Sequence, residues 1–159
     1  MVVVDTLNAA AKTGVKVSKL LLRCSEDLRC KNMMCAKFDI EAPAACVCKL
    51  ARFVAQNNFS QLTHLDISAN GIDVLPDALF DCLPQLQVLN VGDNKLKSLP
   101  IQVIKLKNLS SLDLSNNHLR QLPYDELMTM GHLTHLLLSG NPSDVLRGVP
   151  DGLSTKITY

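Results

Sequence analysis

His64, Asp66 and a nearby serine are the residues of this chain that suggest a nucleophilic catalytic site. His64 and Asp66 are two residues apart, so on a β-strand their side chains would lie on the same face. Side chains placed in this way stand apart and parallel. A nucleophile needs a base within hydrogen-bond reach, an orienting acid and an oxyanion donor. We therefore expect no catalysis on this face and predict that the protein is not an enzyme.

Metal binding is the second chemistry that residue types suggest. Asp66, Asn90 and Asp113 carry side-chain oxygens at similar intervals, but rigid strands would place these oxygens in a line instead of a cage, which does not suit calcium. The cysteines contain no C-x-x-C pair, and no histidine lies near the first five, so a zinc site is not expected. We expect no metal and no cofactor, and buried thiols in the N-terminal part of the chain. The six cysteines are at positions 24, 30, 35, 46, 48 and 82.

The candidate residues belong to a segment, residues 62–141, that repeats one pattern four times. Apolar residues stand at positions one, four and six of each copy and asparagine at position nine, with intervals of 24, 23 and 24 residues between the asparagines. This L-x-x-L-x-L-x-x-N pattern, continued by x-L-x-x-L-P, resembles short intracellular leucine-rich-repeat proteins. The asparagines are Asn70, Asn94, Asn117 and Asn141.

The resemblance implies an α/β solenoid, a leucine-rich-repeat horseshoe with a parallel β-sheet on its concave side. Short helices or turns are implied on the convex side, and a helical cap at the N-terminus. Leu65, Ile67 and their equivalents are predicted to point inward. The asparagine carboxamides, which have a donor and an acceptor, are predicted to satisfy backbone groups in the turn and in the adjacent coil. These asparagines are therefore structural.

The organisation predicted for residues 1–159 is one domain with four parts. Residues 1–14 form the cap helix, and residues 15–61 form two degenerate coils with strands at 15–17 and 38–40. A helix that begins at Pro43 belongs to the second of these coils. Residues 62–141 are the four regular repeats. Residues 142–159 are a C-terminal cap that covers the last coil with Leu146, Val149, Leu153 and Ile157.

Composition and charge exclude several functions. The formal net charge of the 159 residues is +1, so no global field attracts nucleic acid or an acidic membrane. No run of 18 apolar residues occurs, so no membrane span is expected. A basic cluster off the concave face lacks aromatic residues for base stacking, so we interpret it as a solvated rim and expect no nucleic acid. The cluster contains Lys95, Lys97, Lys105, Lys107 and Arg120.

The N-terminus predicts an intracellular protein. Its apolar residues precede any basic residue and Asp5 interrupts them, which does not suit a signal peptide. We expect the cytoplasm, and leave an organelle or a cytoskeletal assembly open. Six cysteines are then expected to be thiols, because this compartment is reducing.

Recognition is expected on the concave sheet, where this architecture usually binds partners. We predict a non-catalytic protein–protein interaction module, either an adaptor or a structural subunit of a larger assembly. The alternative is a regulatory subunit that binds an enzyme, such as a phosphatase or a ubiquitin ligase, through the same face. Contacts through the back or the ends stay open, as does the identity of the partner. The predicted contact residues are His64, Asp66, Ser68, Val88, Asn90, Asp93, Ser111, Asp113, Ser115, Asn116, His135 and Leu137.

Overall fold

Short parallel strands build one sheet in the computed structural model, which describes residues 2–13, 16–29, 47–154 and 156–158. Within these residues the sheet has seven strands that pair in chain order. The strands are β1 (Val2–Val4), β2 (Val17–Leu21), β3 (His64–Asp66), β4 (Val88–Asn90), β5 (Ser111–Asp113), β6 (His135–Leu137) and β7 (Ile157–Thr158). The predicted solenoid with a parallel sheet is confirmed.

Helices and helical turns connect the strands. The α-helices are α1 (Leu7–Thr13), α2 (Val47–Gln56), α3 (Tyr124–Thr129), α4 (Ser143–Arg147) and α5 (Asp151–Ser154). Among the described residues, the tighter helical turns of the 3-10 type are Glu26–Leu28, Asp77–Cys82 and Ile101–Lys105. One helical element follows each of β3, β4 and β5: the turn Asp77–Cys82, the turn Ile101–Lys105 and helix α3. Each of them begins directly after a proline, which is Pro76, Pro100 or Pro123. Short helices and turns, which the resemblance implied for the convex side, therefore follow these strands.

The core lies between the sheet and the convex elements and consists mainly of leucine. In β3 to β6 the central leucine is buried and the residue on each side of it is at least partly exposed. Ile72, Leu96 and Leu119 bring the chain back into the core after each turn, and all three are 0 % exposed. Each such side chain contributes about 1.5–3 kcal/mol through burial. The inward positions predicted from the repeat are confirmed.

The first strand of the repeat type begins later than predicted. Strand β2 starts at Val17, whereas the expected strand covered residues 15–17. Val17, Leu20 and Leu22 are all fully buried and occupy positions one, four and six of the repeat, with Ser25 at position nine. A strand at 15–17 would not bring Leu20 and Leu22 inward, so burial of the apolar side chains fixes the later register.

The two coils predicted for residues 15–61 are wrong as a description of the sheet. Strand β2 pairs directly with β3, Lys19 opposite His64 and Leu20 opposite Leu65. The sheet therefore has no position for another strand between them, and one long coil joins β2 to β3. The predicted strand at 38–40 and the helix start at Pro43 lie outside the described residues. Helix α2 on this coil buries Val47, Leu50, Ala51 and Val54.

The N-terminal segment is a strand followed by a helix, whereas a single helix was predicted for residues 1–14. Val2–Val4 form β1 because β-branched residues favour a strand, and α1 begins only at Leu7. The Thr6 hydroxyl accepts a hydrogen bond from the Ala9 backbone N–H at 3.1 Å, which caps this short helix. Helix α1 joins β1 to β2, so the described edge of the sheet at this end is strand β1.

The C-terminal segment closes the other end of the core. Val145 and Leu153 are buried, and Leu146, Val149 and Ile157 pack against the core while partly exposed. Strand β7 extends the sheet beside β6, and the Leu136 backbone N–H donates to the Lys156 carbonyl at 2.7 Å. Residues of the predicted C-terminal cap thus cover the last coil.

Candidate binding surface on the concave face

Two parallel rows of side chains cross strands β2 to β6 on the solvent side of the sheet. The register places each residue opposite its equivalent in the next strand, and neighbouring strands are about 4.8 Å apart. We call these two rows the concave surface. The first row is Lys19, His64, Val88, Ser111 and His135, and the second is Leu21, Asp66, Asn90, Asp113 and Leu137. The strand register thus places the predicted contact residues of β3 to β6 next to one another in these two rows.

Lys19 and Leu21 belong to this surface, and Arg23 lies at its margin, although sequence reasoning placed none of them there. They occupy the positions in β2 and its turn that correspond to His64, Asp66 and Ser68. The signal that would have found them is Val17-x-x-Leu20-x-Leu22-x-x-Ser25, which fits the repeat with serine in place of asparagine. Because position nine is Ser25, the asparagine pattern does not identify the repeat that begins at Val17.

Arg23 joins three coils through its guanidinium group. Its Nη1 donates to the Ser68 hydroxyl at 3.0 Å, and its Nη2 pairs with an Asp93 carboxylate oxygen at 3.3 Å. The Ser68 hydroxyl in turn donates to Asp66 Oδ1 at 2.6 Å. Ser68 is only 1 % exposed. It was predicted as a contact residue, but it is buried and orients Asp66 instead.

Asp113 is held in the same way as Asp66, but without a basic neighbour. Its Oδ1 accepts hydrogen bonds from the Ser115 backbone N–H at 2.9 Å and from the Ser115 hydroxyl at 2.6 Å. Among the described residues, Asp113 has no ion-pair partner and its Oδ2 accepts no hydrogen bond. Asp66 Oδ2, by contrast, accepts from the Asn90 amide at 3.4 Å. Asp113 therefore carries an oriented negative charge that faces solvent.

The turn after each strand uses the left-handed backbone region. Cys24, Ala69, Asp93 and Asn116 have φ values of 48°, 56°, 55° and 51°, and Gly140 has 72°. The Asn116 amide donates to Asp93 Oδ1 at 2.8 Å, so these two predicted contact residues are already engaged with each other. They lie next to the concave surface, at its margin.

The repeat asparagines connect neighbouring coils beneath this surface. Asn94 Nδ2 donates to the carbonyls of Val91 at 2.8 Å and Ile67 at 3.2 Å, and its Oδ1 accepts from the backbone N–H groups of Asn70 and Ile72, both at 3.0 Å. Asn70 makes the same kind of link to the long coil, since it donates to the Leu22 carbonyl and accepts from the Ser25 N–H. The predicted contacts with the turn and the adjacent coil are observed.

The histidines of the concave surface contact threonines and do not form a catalytic relay. The His64 and His135 Nδ1 atoms lie 2.8 Å and 2.9 Å from the hydroxyls of Thr63 and Thr134. Burial, and then the charge of Lys19, lower the pKa of His64 below its usual 6.5. Within the described part of the chain, His64 has no hydrogen bond to Asp66 or to a serine. The geometry supplies no nucleophile with a paired base.

The cysteines differ from the expectation of burial. Cys24 and Cys48 are exposed free thiols, and Cys82 is a half-buried one. Cys30, Cys35 and Cys46 lie outside the described residues. Across the ranges that the structure describes, no group of three His, Cys, Asp or Glu side chains is close enough to hold a metal ion.

The basic cluster lies off the concave surface, as the sequence indicated. Lys95, Lys97, Lys107 and Arg120 are exposed, and Lys105 forms an ion pair with Asp81 of the neighbouring coil. Such an exposed pair contributes at most about 1 kcal/mol. No helix among the described residues is long and apolar enough to cross a membrane.

Comparison with known proteins agrees with this architecture. A family model described as leucine rich repeat matches residues 60–104 and 84–142, which together are more than half of the chain. The chain belongs to the leucine-rich-repeat family. Proteins of this family are generally non-catalytic, so membership implies a protein–protein interaction module.

Curated relatives match part of this chain. Bovine osteomodulin is 34 % identical over 82 residues, which are 52 % of this chain and 18 % of osteomodulin. Human Toll-like receptor 1 is 43 % identical over 63 residues, 39 % of this chain and 8 % of the receptor. The chain thus spans less than a fifth of the length of these curated relatives.

Solved structures extend the likeness to the whole fold. An internalin from Listeria monocytogenes is 30 % identical, with a TM-score of 0.50 over 70 % of this chain and 30 % of the internalin. A leucine-rich-repeat protein from Leptospira interrogans gives a TM-score of 0.65 over 99 % of this chain and 40 % of its own, at 21 % identity. The second likeness concerns the fold alone.

Proposed function

We propose that this protein is a non-catalytic adaptor or structural subunit that binds a partner protein through its concave surface. The observation that carries this proposal is the division of each strand between its two faces. The inward leucines and the asparagines are used by the fold, whereas the concave surface holds different side chains in each coil at a fixed spacing. An ordered surface of variable, accessible side chains is suited to recognition of another protein.

The experiment that tests this proposal reverses the acidic charges of the concave surface. The immobilised protein captures partners from a native extract at low salt, and the bound proteins are identified by mass spectrometry. The Asp66→Lys, Asp113→Lys double variant is expected to lose the main partner, because charge reversal at the centre of an interface introduces repulsion. The control is Asp125→Lys with Asp144→Lys, which makes the same charge change at exposed convex positions.

Both variants must retain the circular dichroism spectrum and the melting temperature of a folded protein. If the concave double variant binds the partner as fully as the control does, the concave surface is not the docking site and the proposal is wrong. A partner retained by both variants would instead be bound through the convex side or the ends.

We also propose an intracellular, reducing location for this chain. The exposed free thiols Cys24 and Cys48 support it, because accessible thiols persist in a reducing compartment. Imaging of the tagged protein together with fractionation of cells tests the location, and recovery from the medium or the secretory pathway would contradict it.

A further inference from the structure

The second row of the concave surface has a leucine at each end and acidic or amide side chains between them. Leu21 is 40 % exposed, and Leu137 is half-buried. We propose that this row binds an extended peptide segment of the partner, with one lysine or arginine between two apolar side chains. This proposal rests on the proposed function and names the chemistry of the bound segment.

The register sets the spacing that the peptide must have. Leu21 and Leu137 are separated by four strand steps, or about 19 Å, with Asp113 one step from Leu137 and three steps from Leu21. A fully extended chain covers about 3.3–3.6 Å per residue. The two apolar side chains of the peptide are therefore about five or six residues apart. The basic residue is one or two positions from the apolar side chain that contacts Leu137.

The charges of the surface favour one position for the cation. Asp113 has no ion pair with the described residues, and Ser115 fixes its carboxylate. Asp93 already forms an ion pair with Arg23. Arg23 also donates a hydrogen bond to Ser68, the serine that holds Asp66. Lys19 and Arg23 lie at the β2 end and repel a second cation there. A basic side chain is therefore attracted to the β5 end, and the peptide binds in one direction.

Leu21 and Leu137 provide the apolar contacts. Solvent-facing positions of a strand are usually polar, and Leu21 sits on such a position between buried Leu20 and Leu22. Its burial by a ligand removes apolar surface from water, which is favourable. Val88, half-buried in the first row, adds an apolar surface midway along the path. The apolar groups at both ends of the row thus define the two anchor sites.

Selection from a phage-displayed library of random nine-residue peptides tests this proposal. The immobilised full chain is expected to enrich peptides with one lysine or arginine and apolar residues on both sides at the stated spacing. A synthetic peptide from the selection is then titrated by fluorescence polarisation. Asp113→Asn is expected to weaken its binding at least tenfold, because a charge-assisted contact is lost. Asp125→Asn on helix α3, the matched control, is expected to leave binding unchanged.

Three further variants make the assignment specific. Leu21→Ser and Leu137→Ser are each expected to weaken binding about threefold or more, since each removes an apolar contact. Asp113→Lys is expected to prefer a peptide whose basic residue is replaced by glutamate. Binding of the glutamate peptide to the Asp113→Lys protein would support a direct contact between Asp113 and the basic residue of the original peptide.

The proposal is overturned if no peptide is enriched, if the enriched peptides lack a basic residue, or if Asp113→Asn binds as tightly as the unmodified chain. These outcomes are distinct from failure of the proposed function. If the peptide tests fail but the Asp66→Lys, Asp113→Lys protein still loses its partner, the concave surface is the docking site and only the proposed peptide chemistry is wrong. If that protein retains the partner, both the proposed function and the proposed peptide chemistry are wrong.

Discussion

Equivalent residues of different repeats have different environments, because the side chains of the neighbouring coil differ. Ser68 and Ser115 occupy the same position and donate to the preceding aspartate in the same way. Arg23 also donates to the Ser68 hydroxyl, so Ser68 is 1 % exposed, whereas Ser115 is only half-buried. The repeat pattern therefore predicts the backbone of a position but not its accessibility.

His64 provides a prediction at the scale of one residue. Its pKa is lowered in the folded protein by burial and by Lys19, so the unfolded chain binds the proton more readily. The free energy of unfolding should then decrease as the pH falls below about 6.5. The His64→Gln protein should lose this part of the pH dependence when denaturation is measured between pH 7.5 and 5.5.

The pKa of His64 itself can be followed by NMR titration. Lys19→Gln should raise it, because a nearby positive charge is removed, although burial would still hold it below 6.5. A His64 resonance that titrates above 6.5 in the unmodified protein would contradict the assigned environment.

At the scale of the element, each coil is a thin layer that is stable only against its neighbours. Leu112 of β5 pairs with Leu89 on one side and Leu136 on the other, and all three are at most 1 % exposed. A coil in the middle of the stack cannot relax into a cavity without moving both adjacent coils. Central strands should therefore be the most sensitive to truncation of a side chain.

Leu112→Ala should lower the free energy of unfolding by about 2–5 kcal/mol. The measurement is urea denaturation followed by circular dichroism. Ser111→Ala is the control, because Ser111 is on the solvent side of the same strand and should change stability by less than about 0.5 kcal/mol. An unchanged midpoint for Leu112→Ala would contradict the inward register.

At the scale of the whole molecule, the sheet stays continuous across a coil that is longer than the repeat period. Strand β2 pairs with β3 through residues 45 positions apart, such as Lys19 and His64. Arg23 and Asn70 add contacts across the same junction. The N-terminal strands therefore belong to the same core as the regular repeats, and their stability depends on this junction.

Asn70→Ala should weaken that junction. It leaves the Leu22 carbonyl and the Ser25 N–H without this partner, and because both contacts are only partly buried, the cost for each group is at the lower end of about 1–3 kcal/mol. Hydrogen exchange should become faster in β2 than in β5, since β5 keeps its own asparagine contacts. Asn58→Ala, at an exposed position, is the control. Equal protection of β2 and β5 in Asn70→Ala would show that the junction does not depend on this side chain.

The sequence predicted the four regular repeats and the residues that they contribute to the concave surface. Leucine and asparagine spacing was sufficient for the four regular repeats, because the same residue types recur at the same positions and give each coil the same inward face. The prediction failed at the first coil, where Ser25 replaces asparagine and the next strand follows 45 residues later. The alternation of apolar and polar residues at 15–17 led to the wrong strand there, so Lys19, Leu21 and Arg23 were missed.

Sequence alone determined that leucines form the interior, that asparagines join the coils, and that Asp66 and Asp113 share one face. These features follow from periodicity, which fixes the direction in which a side chain points along its own strand. Only the tertiary structure decided which strand lies next to β3, and with it which charges are compensated. Arg23 reaches Ser68 and Asp93 across a long coil, whereas Asp113 has no such neighbour among the described residues. The physical reason is that charge compensation depends on distances between coils, and the spacing of residues along the chain does not specify them.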